Sequence, residues 1–169
     1  MLNSDKDSTF HNSQQKGIKV SKGENRLRER VILDGVTAID FKVLSGDTGG
    51  NLSVMVSSNN LKSTGPALHI HPDFDETFYI TAGEVKFKVG EDFHILQVGD
   101  SIFVPRNTPH AFTITSDNPA TFMIICQPAG KIENFFREYS NYDKVSPEIA
   151  IMLMSDNNMQ VVGPPLQID

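Results

Sequence analysis

Between Val31 and Pro128 the chain is a succession of ten short segments rich in Val, Ile, Phe and Thr: VILDG, TAIDFKVL, NLSVMVS, ALHIH, ETFYITAG, EVKFKVG, DFHILQVG, SIFVP, HAFTIT and TFMIICQP. They recur at spacings of roughly 8 to 12 residues. Turn pairs punctuate them: Gly46-Asp47, Gly83-Glu84, Gly90-Glu91 and Gly99-Asp100. Residues of this kind favour half-buried strands, and Gly with an acidic neighbour suits the tight turns of an antiparallel sheet. No helical period interrupts the series, so the segment reads as an all-β sandwich or barrel. The ten segments are not copies of one another, which argues against a propeller or solenoid.

After Pro128 the period changes. Ile132, Phe135, Phe136 and Tyr139 fall at i, i+3, i+4 and i+7, one apolar stripe of a helix. A second helix begins at Ser146-Pro147-Glu148, with Ser as N-cap, Pro in the first turn and an acid beside it. Ile149, Met152 and Leu153 are its expected buried side, so two short helices are placed at about 131–157. The closing VVGPPLQID is expected to be extended, because its prolines cannot continue a helix.

Residues 1–17 carry only Leu2 and Phe10 as bulky apolar residues and read as a mobile tail, which leaves 18–169 as a single domain. The first 30 residues are locally basic, and that excess reads as a solvated leader. The net charge of -6 and the lack of a basic stripe speak against nucleic acid as partner. The longest apolar run, Ile149 to Met154, is far too short for a membrane span, and no apolar leader opens the sequence. With Cys126 as its one cysteine the chain makes no internal disulfide, and a cytoplasmic location is expected. The chemistry must therefore rest on carboxylates, hydroxyls or the five histidines.

The segment GPALHIHPDFDETFYITAG, residues 65–83, gathers three of the candidate groups. His69 and His71 are two apart, so on a strand they share a face. Glu76 follows after Pro72 and Asp73 turn the chain, and His110 offers a third imidazole in GDSIFVPRNTPHAFTI. Imidazoles and a carboxylate converging on one face suit a divalent transition metal. The His-X-His pair by itself fits a surface pair or a hydrogen-bonded core feature as readily.

The longer pattern, His69-X-His71-X4-Glu76-X6-Gly83 followed by Gly99-X5-Pro105-X4-His110, resembles the two signature motifs of the cupin superfamily. The flanks FKVLSGDTGGNLSV, PAGKIENFFREYS and VVGPPL resemble small single-domain bacterial cupins, including those described as quercetinase-like, and carry the resemblance from about residue 19 to the C-terminus. It implies a double-stranded β-helix, a jelly-roll barrel over about 31–128. His69, His71, Glu76 and His110 would be metal ligands, with Glu76 also the catalytic group. Fe or Mn is the first expectation for the ion; Ni, Cu, Zn and Co fit the same donors. A homodimer is implied in the same way. Three positions depart from the motifs. Ser63 stands for the opening glycine, with Gly65 close enough to make the turn; Asn107 replaces a second glycine, and Asn tolerates left-handed backbone. Ile114 stands where the second motif ends in Asn.

Alternation extends the reading to the interior. If Glu76 points inward so do Phe78 and Ile80, and if His110 does so do Phe112 and Ile114. These four would line an apolar pocket for a planar small molecule. His94 is expected to be a half-buried structural histidine, Arg106 a solvent-exposed turn residue, Asp73 and Asp75 loop-solvating acids, and Cys126 a small core residue. The functional expectation is a metal-dependent dioxygenase for a small aromatic or enol-like substrate. The alternatives are a non-catalytic metal or small-ligand binder, and an isomerase or lyase, for which the interior offers only Glu76 and Tyr79 as acid–base groups.

Overall fold

A computed structural model describes residues 16–168 of the chain; the tail expected over residues 1–17 lies almost wholly outside them. All ten expected strands are present: β1 (Val31–Leu33), β2 (Thr37–Val43), β3 (Ser53–Asn60), β4 (Ala67–Ile70), β5 (Asp75–Ala82), β6 (Val85–Val89), β7 (Asp92–Leu96), β8 (Ser101–Val104), β9 (His110–Thr113) and β10 (Ala120–Gln127). Two helices follow, α1 (Ile132–Tyr139) and α2 (Pro147–Asp156), and then a further strand, β11 (Gln160–Pro165).

The strands form two antiparallel sheets, ordered β1-β2-β3-β10-β5-β8 and β11-β4-β9-β6-β7. From β3 onward the chain changes sheets at almost every connection, and only the β6–β7 hairpin stays within one. This winding is the double-stranded β-helix. Period-two patterning produces its interior: along β10, Ala120, Phe122, Ile124 and Cys126 are buried, while Thr121, Met123 and Ile125 on the other face are less so. Phe41, Phe78, Phe87 and Phe122, none more than 2% exposed, occupy the space between the sheets. Phe78, Phe87, Phe112 and Phe122 meet with ring centroids 4.8 to 6.0 Å apart. Burying a side chain of this size contributes roughly 1.5–3 kcal/mol, so this cluster is a main source of cohesion between the sheets.

β11 was expected only as an extended end. It pairs with β4, with Val161 opposite His69. Its prolines are compatible with this because β11 is the outermost strand of its sheet, where one row of N–H groups has no ladder partner to serve. The consequence is that β4, the strand of His69, is paired on both sides.

α1 buries Ile132, Phe135 and Phe136, and Phe136 meets Phe41 edge-on at 6.4 Å. Glu133 ties this helix to the barrel, accepting hydrogen bonds from the N–H and hydroxyl of Ser45 and from the Ser53 hydroxyl. In α2 the expected N-cap is present: Ser146 Oγ accepts the N–H of Ile149 at 3.3 Å. The buried face of α2 differs from expectation, being Leu153 and Met154 with Ile149 half-buried, while Met152 is exposed. The run Ile149 to Met154 is apolar all round, so periodicity alone does not fix which side faces inward. Among the described residues no helix is long and apolar enough to cross a membrane.

Candidate metal centre

The site forms where the two sheets face one another. His69 on β4 is directly opposite His110, the first residue of β9. His71 lies just beyond β4, and its carbonyl accepts the N–H of Asn107 at 2.9 Å, joining the two histidine-bearing loops. Glu76 approaches from the other sheet, on β5, with Cys126 of β10 and Val104 of β8 as its register partners. Local backbone chemistry makes this possible. Asn107 adopts φ 64°, as a substitute for glycine must. Gly65 has φ 66°, and a Cβ there would come within 2.1 Å of the Phe112 carbonyl oxygen, so the turn before β4 admits only glycine.

All four side chains are buried, 1% to 6% exposed. One nitrogen from each of His69, His71 and His110 lies within 4.8 Å of the others. Glu76 Oε2 is 3.2 Å from both His71 Nε2 and His110 Nε2. Backbone carbonyls orient two of the rings: Nδ1 of His69 faces the Ala67 oxygen at 2.7 Å, and Nδ1 of His110 faces the Thr108 oxygen at 2.9 Å. A carbonyl only accepts, so each Nδ1 carries the proton and each Nε2 is left with a lone pair that could ligate a metal.

The electrostatics point the same way. Burial, followed by the neighbouring His110 and His71, pushes the His69 pKa well below 6.5, so its ring is neutral near pH 7. Burial by itself would raise the Glu76 pKa; the neighbouring His71 and His110 rings outweigh it and hold the carboxyl below the usual range. Neither ring nitrogen of His71 makes a well-formed hydrogen bond, although both are buried and Nε2 faces Glu76 Oε2 at 3.2 Å. Orphaned polar atoms of this kind are costly in a dry interior. A divalent cation held here would remove the cost, with the His71 lone pair and the Glu76 charge as its donors. The donor set, three imidazoles and one carboxylate, therefore fits a transition metal.

Two neighbours of this site had no functional expectation attached to them. Phe74, 2% exposed, stacks on His71 with ring centroids 4.2 Å apart and planes 27° from parallel. The Cys126 thiol is 3.9 Å from Glu76 Oε1. Burial and then the Glu76 charge push its pKa well up, so it stays protonated; it is a small core residue, as expected. An aromatic side chain in the turn HPDFDE was the available signal for Phe74, since a turn on the surface has no use for one.

Of the expected pocket residues, Phe78, Ile80 and Ile114 are buried in the core and Phe112 is packed against it, on the same strands as Glu76 and His110 or immediately after. Three expectations change. Tyr79 points away from the interior and is 40% exposed, because alternation places it opposite Glu76 and Phe78. His94 is exposed, not half-buried, since β7 is an edge strand. Asp73 and Asp75 do more than solvate their loop: Asp73 accepts a hydrogen bond from Asn158, and Asp75 forms a two-pronged ion pair with Arg106 at 2.9 and 3.1 Å. Arg106 itself is exposed, as expected.

Comparison with known proteins agrees with this architecture. Residues 61–126, which contain His69, His71, Glu76 and His110, match the cupin domain family model. No curated protein matches the sequence. Among solved structures, an RmlC-like cupin from Shewanella frigidimarina superposes with a TM-score of 0.57 at 16% identity, over 70% of this chain and 96% of that one. A predicted oxalate decarboxylase from Thermotoga maritima gives 0.51 at 18% identity, over 59% and 90%. KdgF from Halomonas sp. gives 0.50 at 13% identity, over 61% and 89%. At these identities the superpositions speak to the fold alone. The winding of the strands and the matching segment agree: residues 61–126 match the cupin domain family, and the fold is the one these solved cupin structures share.

Proposed function

We propose that this cupin binds a divalent transition metal through His69, His71, Glu76 and His110, and that it is a quercetinase-like dioxygenase for a small aromatic or enol-like substrate. The observation that carries the metal reading is the unpartnered, buried His71 ring beside an ionised Glu76. Fe or Mn is the first choice of ion, with Ni, Cu, Zn and Co compatible with the same donors. When bound, the ion supplies Lewis acidity and a template for substrate and dioxygen.

The protein's own residues do the rest. The Ala67 and Thr108 carbonyls hold two imidazoles in the ligating tautomer. Glu76 presents Oε2 to the histidines and is the one interior carboxylate at the centre, so it is the group that would accept a proton from an enol or phenol. Phe78, Ile80, Phe112 and Ile114 make the interior on the strands of Glu76 and His110 apolar, which would favour a planar, apolar substrate and exclude water. The isomerase or lyase alternative is weakened by the outward-facing Tyr79, which leaves Glu76 without its expected acid–base companion. A cytoplasmic homodimer completes the proposal, from the family resemblance.

Oxygen uptake by protein reconstituted with each metal, over a panel of flavonols, catechols and diketones, tests the reading. Uptake on one substrate class, lost in Glu76→Gln, is expected. Tight capture of a compound without chemical change would replace the dioxygenase with a non-catalytic binder.

A further inference from the structure

The Phe74 ring touches both His71 and Gly130. It is stacked on the imidazole at 4.2 Å. It also meets the backbone of Gly130, where a Cβ would come within 2.4 Å of Phe74 Cδ1. Gly130 is exposed while Phe74 and His71 are 2% and 3% exposed, so one buried ring connects a residue at the surface, itself without a side chain, to a residue of the candidate centre. The residues on both sides of Phe74 are tied to different parts of the fold. Asp73 accepts a hydrogen bond from Asn158, in the turn before β11. Asp75 accepts the backbone N–H of Arg106 at 2.8 Å and its guanidinium at 2.9 and 3.1 Å, in the turn before β9. The ring itself has no polar group to anchor it, so packing alone sets its position between these two anchored residues.

We infer that Phe74 is the gate of the metal centre, its ring closing the route from the Gly130 surface to His71 and so controlling passage of the metal ion and of small ligands. This rests on the metal reading above, and the test separates the two. A gate sets rates in both directions and leaves equilibria unchanged, whereas a structural prop changes affinity.

The test uses the full chain and the variants Phe74→Ala and Asn158→Ala, the second loosening the Asp73 anchor while keeping the ring. Metal-free protein is treated with diethylpyrocarbonate, and modification of each histidine is followed by mass spectrometry. Phe74→Ala is expected to accelerate modification of His71 at least tenfold, and Asn158→Ala to act in the same direction by a smaller factor. The exposed His94 should react at the same rate in all three proteins and serves as the internal standard. In protein loaded with Zn, Phe74→Ala should accelerate uptake and chelator-driven release by the same factor, with Kd unchanged. A wild type that takes no metal, while His71 modification still accelerates in Phe74→Ala, removes the metal reading and keeps the gate. Unchanged His71 modification in both variants overturns the gate, as does a weakened Kd without faster uptake. If Phe74→Ala does not fold, Asn158→Ala decides.

Discussion

Replacing Gly130 with Ala isolates the packing on which the closed site depends. Gly130 has φ 57°, in the left-handed region where a Cβ is strained. The added methyl would lie 2.4 Å from Phe74 Cδ1 and 2.9 Å from Cε1. The ring would have to retreat by about 1 Å to restore ordinary contact, and it is already stacked on His71. Two penalties add: about 1 kcal/mol for the backbone conformation and about 2 kcal/mol for overpacking. Gly90→Ala supplies the matched control, since Gly90 has φ 60° but open space where the Cβ would go. It pays the backbone penalty alone. For a chain of this size 1 kcal/mol corresponds to a Tm shift of about 2–4 °C. Gly130→Ala should therefore melt about 6–12 °C below wild type and Gly90→Ala about 2–4 °C below it, measured by thermal denaturation of metal-free protein. Gly130→Ala should also bind metal more weakly, because the displaced ring presses on a ligand, while Gly90→Ala should bind as wild type does. A Gly130→Ala variant no less stable than Gly90→Ala would show that Phe74 has slack on its Gly130 side, and the stack on His71 would lose its claim to be tightly held.

Two further outcomes follow from residues away from the ligands. Ser146→Ala removes the acceptor for the Ile149 N–H at the start of α2 and should cost about 1 kcal/mol in urea denaturation; no loss would mean that Pro147 alone starts the helix. Hydrogen bonds from the Arg106 side chain, and then from its backbone N–H, lower the Asp75 pKa from the usual 3.8 to about 2. A pKa depressed in the folded state means that the pair's contribution to stability is fully present above pH 3.8 and is lost as the pH falls from there through about 2. Carboxyl NMR titration of Arg106→Ala should show the Asp75 midpoint returning toward 3.8; a midpoint still near 2 would assign the shift to another cause.

The strands and the convergence of His69, His71, Glu76 and His110 are legible in the sequence for the same reason. Each of the four sits in a strand, or immediately beside one, whose alternation is strong enough to fix the face it uses, as in β5 with Glu76, Phe78 and Ile80 all inward. What stayed hidden depends on contacts between distant parts of the chain. β11 reads only as an extended end because its prolines suit a strand only at a sheet edge, and which strands are edges is a property of the assembled barrel. His94 was misjudged for the same reason, since alternation does not say whether a strand has a neighbour on both sides. The face of α2 was ambiguous in a run of six apolar residues. Phe74 and Asp73 depend on Gly130 and Asn158, more than fifty residues further along the chain, which no local pattern can anticipate.

The central claim is that His69, His71, Glu76 and His110 hold one divalent ion. The most direct measurement is the metal content of the purified full chain, before and after reconstitution with Fe, Mn, Co, Ni, Cu or Zn, in parallel with His69→Ala and Glu76→Ala. The account predicts one equivalent of a transition metal in the wild type and none in either variant, with both variants retaining the wild-type circular dichroism of the barrel. A wild type that takes up no metal under any of these conditions, or variants that bind as much as the wild type, would contradict it.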